Sequence, residues 1–147
     1  MKRVLICVDG SDVSGRALEL AVKLAQPLGA RVTVAHVVAP IPLPVDGYPT
    51  AIVEPGAAVQ LDQQAREFGQ LVAERAAARA RELGAQSVGA RVLFGDPAQA
   101  LAEEAETQGY DLVAIGSRGQ GAFKRALLGS TSDRLVHSCK APVLVVH

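Results

Sequence analysis

Five short runs of β-branched and aliphatic residues, each separated from the next by a longer stretch, constrain this chain more than any other feature. The runs are Arg3 to Val8, Arg31 to Val38, Ser87 to Phe94, Asp111 to Ile115 and Pro142 to Val146. A near-continuous apolar strand is covered on both faces, as in parallel sheets. Between the first two runs, Ser11 or Asp12 can cap a helix whose Val13, Ala17, Leu20, Ala21, Leu24 and Leu28 follow helical spacing, and Gly29 supplies the stop. A long helix rich in Ala, Arg, Glu and Gln is predicted from about Ala57 to Leu83, with Gly84 at its end. Asp96 and Pro97 read as the N-cap and first residue of a helix reaching about Gln108 and ended by Gly109, and a last helix lies near Ser132 to Cys139. Strands alternating with helices make right-handed parallel crossovers, so the expected fold is a doubly wound three-layer α/β sandwich with helices on both faces. No repeat or linker divides it, and a single domain over residues 1–147 is expected.

One segment departs from this rhythm. Ala39 to Gly56 carries Pro40, Pro42, Pro44, Pro49 and Pro55, which remove backbone donors and disfavour helix before them, so a long surface loop is expected there.

Composition removes several functions. The chain has 15 Lys+Arg against 15 Asp+Glu, so it lacks the basic excess on which nucleic-acid affinity rests. Apolar runs such as Val143 to Val146 fall far short of the ~20 residues of a membrane span. The opening Met1-Lys2-Arg3 followed by apolar residues begins like a signal peptide, but Asp9 interrupts it before the ~7–15 residues of an h-region, and it reads as a first strand. Cys7 and Cys139 sit in no CxxC or Cys/His cluster, which fits a cytoplasmic protein with two buried thiols.

Open α/β sheets bind ligands beyond the carboxyl ends of their strands, where strand order reverses. The loops after the first and fourth strands are Asp9-Gly10-Ser11 and Gly116-Ser117-Arg118-Gly119-Gln120-Gly121, the latter leading to Gly129-Ser130-Thr131-Ser132. Glycines let backbone approach a phosphate, and a helix beginning near Ser130 would aim N–H groups and its positive dipole end at an anion. From Gly116 to Lys140, Arg118, Lys124, Arg125, Arg134 and Lys140 face Asp133 alone, a net charge of +4 that leaves −4 for the remainder. The plainer alternative is that the glycines make turns and the basic residues solubilise. Asp9 has two readings as well: it caps the following helix, or its carboxylate accepts both hydroxyls of a ribose.

Other chemistries lack their patterns. The chain has no G-x-x-x-x-G-K-[ST], and no G-x-G-x-x-G follows the first strand. Cys7-Val8-Asp9-Gly10-Ser11 approaches the D-x-D-G-[ST] of aspartate-nucleophile phosphatases, but Cys7 stands where the nucleophile must be. No G-x-S-x-G elbow precedes a helix. His36, His137 and His147 are scattered, which favours structural or solvent-exposed roles.

Four pieces of the chain together resemble the universal stress proteins of the UspA type. They are Val4-Leu5-Ile6-Cys7-Val8-Asp9-Gly10-Ser11, Ala35-His36-Val37, the G-x2-G-x9-G-[ST] pattern of Gly116, Gly119, Gly129 and Ser130, and Ala141-Pro142-Val143-Leu144-Val145-Val146. The resemblance spans the whole chain and implies a five-stranded parallel sheet in the order 3-2-1-4-5. The glycine spacing is that of the family's ATP-binding members. Carried over residue by residue, Asp9 would hold the ribose, Val37 would pair its backbone with adenine, and Val8 and Ser11 would line the site. Gly116, Gly119, Gly129, Ser130 and Thr131 would surround the phosphates of ATP, with Arg118 a further candidate in a variable slot. Magnesium would arrive bound to the phosphates, since no second carboxylate lies in the glycine-rich loop to hold it. The resemblance also implies a homodimer through Pro142 to Val146, an apolar run with no charge to guard an exposed edge. The expected function is a nucleotide-dependent stress-response switch with at most slow ATP hydrolysis. A protein-interaction module that binds no nucleotide is the alternative. An enzyme splitting ATP at the α-phosphate would want a Ser-Gly-Gly-x-Asp-Ser type loop where this chain has Asp9-Gly10-Ser11-Asp12-Val13-Ser14.

Overall fold

The apolar runs become β1 (Arg3–Cys7), β2 (Arg31–Val38), β3 (Val88–Phe94), β4 (Leu112–Gly116) and β5 (Val143–Val146). In the computed structural model, which describes residues 1–40, 55–118 and 128–147, they form one sheet in the order β3-β2-β1-β4-β5. Every pairing is parallel, with Ile6 opposite Val34 on one side and opposite Ala114 on the other. Gly119, Lys124, Arg125 and most of the proline-rich segment lie outside the described residues.

The helices are α1 (Asp12–Ala25), α2 (Pro55–Glu82), α3 (Pro97–Gln108) and α4 (Ser130–Ser138). Alternate residues of one strand serve opposite faces, which is why its sequence is continuously apolar. Val4, Ile6, Val32, Val34 and Ala114 pack with Leu18, Ala21 and Val22 of α1 and Ala77 and Ala80 of α2. Leu5, Ala35, Val113 and Ile115 pack instead with Leu101 and Ala105 of α3 and Leu135 of α4. The order 3-2-1-4-5 and the two helical layers are those expected.

Several boundaries move for local reasons. α1 ends at Ala25 and tightens into a 3-10 turn over Gln26–Leu28, because Pro27 has no N–H with which to continue the helix; Gly29 then turns out at φ +60°. α2 starts at Pro55, two residues ahead of the expected start, so that proline opens the helix where a missing N–H costs nothing. α4 begins at Ser130, two residues ahead of the expected start. β1 stops at Cys7 while β4 runs on through Gly116, so the chain leaves β1 at Val8 and the first motif glycine is part of a strand. Both cysteines are free; each is half-buried as a whole residue, but the Cys7 thiol itself points into the interior.

Candidate functional site

β1 and β4 are neighbours, and the helices that follow them, α1 and α4, pack on opposite faces of the sheet, the arrangement that leaves a crevice at the strands' carboxyl ends. On the β1 side, Gly10 adopts φ +82°, a conformation that turns the chain back on itself. Asp9 Oδ1 therefore accepts hydrogen bonds from the Ser11 amide at 2.9 Å and the Ser11 hydroxyl at 2.6 Å. Ser11 Oγ in turn accepts from the Ser14 amide at 3.2 Å, and Ser14 Oγ donates to the Ser11 carbonyl at 2.9 Å. Ser11, not Asp12, is thus the cap of α1, and the half-buried Asp9 orients that cap.

On the β4 side, Gly116 lets α1 approach the sheet. A Cβ there would lie 3.0 Å from Val13 Cγ1 and 3.1 Å from the Ser14 amide nitrogen. This contact brings the two loops together. Beyond it, the buried Ser117 donates its N–H to the Val146 carbonyl at 2.6 Å, and its own carbonyl accepts from the Gly129 amide at 2.6 Å and from Ser132 Oγ at 3.0 Å. A Cβ at Gly129 would stand 3.2 Å from that carbonyl. The two ends of the glycine-rich segment are stitched together, so Gly116 and Gly129 both have packing reasons to be glycine. Sequence reasoning missed Ser117 and Ser132 as the stitch; the available signal was a hydroxyl residue next to Gly116 and another three residues after Gly129, one helical turn on.

Ser130 is exposed and Thr131 half-buried on the first turn of α4, whose cap residue Gly129 offers no side chain to its opening N–H groups. Arg118 is half-buried at the mouth of the loop. The basic patch is more divided than the sequence implied. Arg134 pairs with Asp96 at 2.7 Å and Lys140 pairs with Glu106, so both cations lean toward α3.

Val37 belongs to the other end of the crevice. Alternate residues of β2 turn their backbone groups to opposite neighbours: the Arg31 amide donates to Lys2 at 2.7 Å and the Ala35 carbonyl accepts from Val8 at 2.9 Å, whereas the Val32 amide donates to Ser87 at 2.8 Å. The alternation directs the Val37 N–H and C=O to the β1 side, beyond Cys7 and Ala35, where β1 pairing ends. The half-buried Val37 therefore presents a backbone donor and acceptor at the strand end, next to the buried Val8. A planar ligand edge with an acceptor beside a donor fits that pair.

Cys7 lies at the end of β1 below Asp9. Burial first, and then the charge of Asp9, pushes its thiol up to about 12, which keeps it protonated and a poor nucleophile. Among the described residues, no group of three or more His, Cys, Asp or Glu side chains is placed to hold a metal ion. Among the same residues, no helix is long and apolar enough to cross a membrane.

The fold defines a small doubly wound α/β domain with a carboxylate turn after β1 and a hydroxyl-stitched glycine segment after β4, both at the sheet's switch point. The chain belongs to the universal stress protein family, whose model matches residues 1–147. It is 34% identical over 146 residues to a universal stress protein of Thermus aquaticus, covering 99% of this chain and 98% of that one. The solved structure of universal stress protein UspA from Lactobacillus plantarum superposes with a TM-score of 0.78 at 24% identity, covering 99% of this chain and 97% of that chain. A universal stress protein solved in complex with cAMP has a TM-score of 0.71 at 27% identity and covers 99% and 97%.

Proposed function

We propose that this chain is a nucleotide-binding universal stress protein that takes an adenine nucleotide, with ATP the expected ligand, in the crevice between β1 and β4. The observation that supports the reading is that the Asp9 turn after β1, the stitched residues Ser117 and Gly129 after β4, and the end of β2 at Val37 all lie at the carboxyl ends of the sheet's three central parallel strands. Val37 pairs with the base, Asp9 accepts from the ribose, and Val8 and Ser11 line the middle. Gly116, Gly119, Gly129, Ser130, Thr131 and Arg118 surround the phosphates, where glycine backbone and the first turn of α4 favour negative charge. The related structure with bound cAMP supports an adenine-bearing ligand. Magnesium comes with the phosphates, and the protein acts as a switch that turns its ligand over slowly at most, because the glycine-rich stretch from Gly116 to Gly129 carries no carboxylate to position water or metal.

Two further elements belong to this reading. The protein is a cytoplasmic single domain over residues 1–147, in keeping with its free thiols. It pairs with a second copy through β5, which stands at the edge of the sheet. Calorimetry of nucleotide-stripped protein with ATP, ADP, AMP and cAMP, with and without magnesium, tests the ligand. Saturable binding that depends on the base and strengthens with phosphates is the expected result. Absence of binding at about 1 mM ligand, an affinity no better than about −4 kcal/mol, would return the chain to the interaction-module alternative.

A further inference from the structure

We infer that His36 is a positioning residue of the crevice: its imidazole takes over the Val8 carbonyl and so leaves the Val37 N–H directed at the ligand. Val8 is the last residue before Asp9, and both of its backbone polar groups are held by β2. Its N–H donates to the Ala35 carbonyl at 2.9 Å, and its carbonyl lies 2.8 Å from His36 Nδ1. A carbonyl only accepts, so Nδ1 carries the proton and donates. In a parallel ladder the rung after Val8 N–H to Ala35 would run from the Val37 N–H to the Val8 carbonyl. Among the described residues that rung is not made, and the imidazole stands in its place.

The ring is fixed from the α2 side. Phe68 meets its edge in a T-shaped contact, with centroids 6.0 Å apart and planes at 83°. Gly69 brings the helix so close that a Cβ there would lie 2.9 Å from His36 Cδ2. One side chain thus connects three things: the position of α2, the point where the chain leaves β1 for Asp9, and the hydrogen-bonding capacity of Val37. A histidine that merely satisfied a carbonyl would be redundant, because the Val37 N–H is next in register to do so. Removing the imidazole should let Val37 re-pair with Val8, which extends the ladder and closes the donor to ligand.

The ligand rests on the nucleotide reading above, but the hydrogen bond does not, and the experiment separates them. His36→Phe keeps a flat ring without a donor, and His36→Asn restores an N–H near the Nδ1 position. Amide hydrogen exchange followed by NMR on the ligand-free proteins reads the Val37 N–H directly. Val37 exchange should slow at least about tenfold in His36→Phe, as a buried rung forms, and stay near the wild-type rate in His36→Asn. If His36→Phe does not fold, His36→Gln, whose amide reaches the Nε2 position instead, is compared with His36→Asn in the same way. Unchanged Val37 exchange in the donor-less variant overturns the inference, whatever the protein binds. Calorimetry with AMP then adds the functional arm: about tenfold or greater loss in His36→Phe with rescue in His36→Asn is expected, which is about 1.4 kcal/mol. Equal AMP affinity in wild type and a folded His36→Phe also overturns it. A wild type that binds no nucleotide refutes the functional reading and leaves the exchange result to decide the role of His36.

Discussion

At Gly69 a methyl group would meet two neighbours at once, His36 Cδ2 and Val38 Cγ2, each 2.9 Å away. Overpacking of this kind costs about 1–3 kcal/mol, while replacing a mid-helix glycine by alanine gains about 1 kcal/mol in helix propensity. Steric cost outweighs propensity because Val38 is buried on a strand and His36 is tethered to Val8. Gly69→Ala should therefore lower the urea midpoint; a higher midpoint would mean that α2 can shift outward without loss. The other informative residue is Asp9. Its turn with Ser11 realises the capping reading in an indirect form, since the carboxylate orients the cap. Ribose recognition would use the same group. Asp9→Ala is expected to weaken ribose-bearing ligands about tenfold, on the scale of a hydrogen bond to a charged group. Equal calorimetric affinity for AMP in wild type and variant would leave Asp9 with the cap alone.

At the scale of elements, the ends of the secondary structures are tied by carboxylates that answer to pH. Asp111, just ahead of β4, accepts from the amide of Lys2 and from that of Arg3 at the start of β1, the latter at 2.8 Å. Those two bonds hold its carboxyl below the ordinary range. Asp96 caps α3 through the Gln99 amide at 3.1 Å, and chiefly its bond from Arg134 holds it low as well. A carboxyl whose folded value is depressed contributes stability above its unfolded value, about 3.9, and loses that contribution as pH falls through the folded value. The difference in urea midpoint between wild type and Asp111→Asn should be largest near neutral pH and shrink as pH falls below about 3.9, the ordinary carboxyl value. A gap independent of pH would assign the effect to packing. The start and stop signals of these elements were legible because caps act within a few residues: Asp96 with Pro97, Gly109 and Ser11 all do locally what their sequence positions imply. Pro55 was misplaced in the loop because a proline marks a helix start as readily as a break.

For the whole molecule, the telling feature is the edge that β5 forms at one end of the sheet. Its even-numbered residues turn their backbone toward β4, as the Pro142 carbonyl accepting from Val113 at 2.9 Å and the Val146 carbonyl accepting from Ser117 at 2.6 Å indicate. Val143 and Val145 consequently turn theirs outward. Proline at position 145 would remove an outward N–H and leave the β4 ladder intact. Val145→Pro should convert a dimer to a monomer in light scattering while circular dichroism stays unchanged; a wild-type monomer, or a variant that remains dimeric, would rule out pairing through this edge. By itself the sequence determined which segments are strands, that each is covered on both faces, where the helices are capped, and that glycines and hydroxyls gather after β4. These are consequences of periodicity and of interactions a few residues long. Only the tertiary structure decided that Gly116 gives room to α1, that Ser132 closes the loop on Ser117, that Arg134 and Lys140 turn to α3, and that His36 takes the Val8 carbonyl. Each of those depends on which elements the sheet order and the close packing of helices set side by side, and a residue's neighbours along the chain carry no record of its neighbours across it.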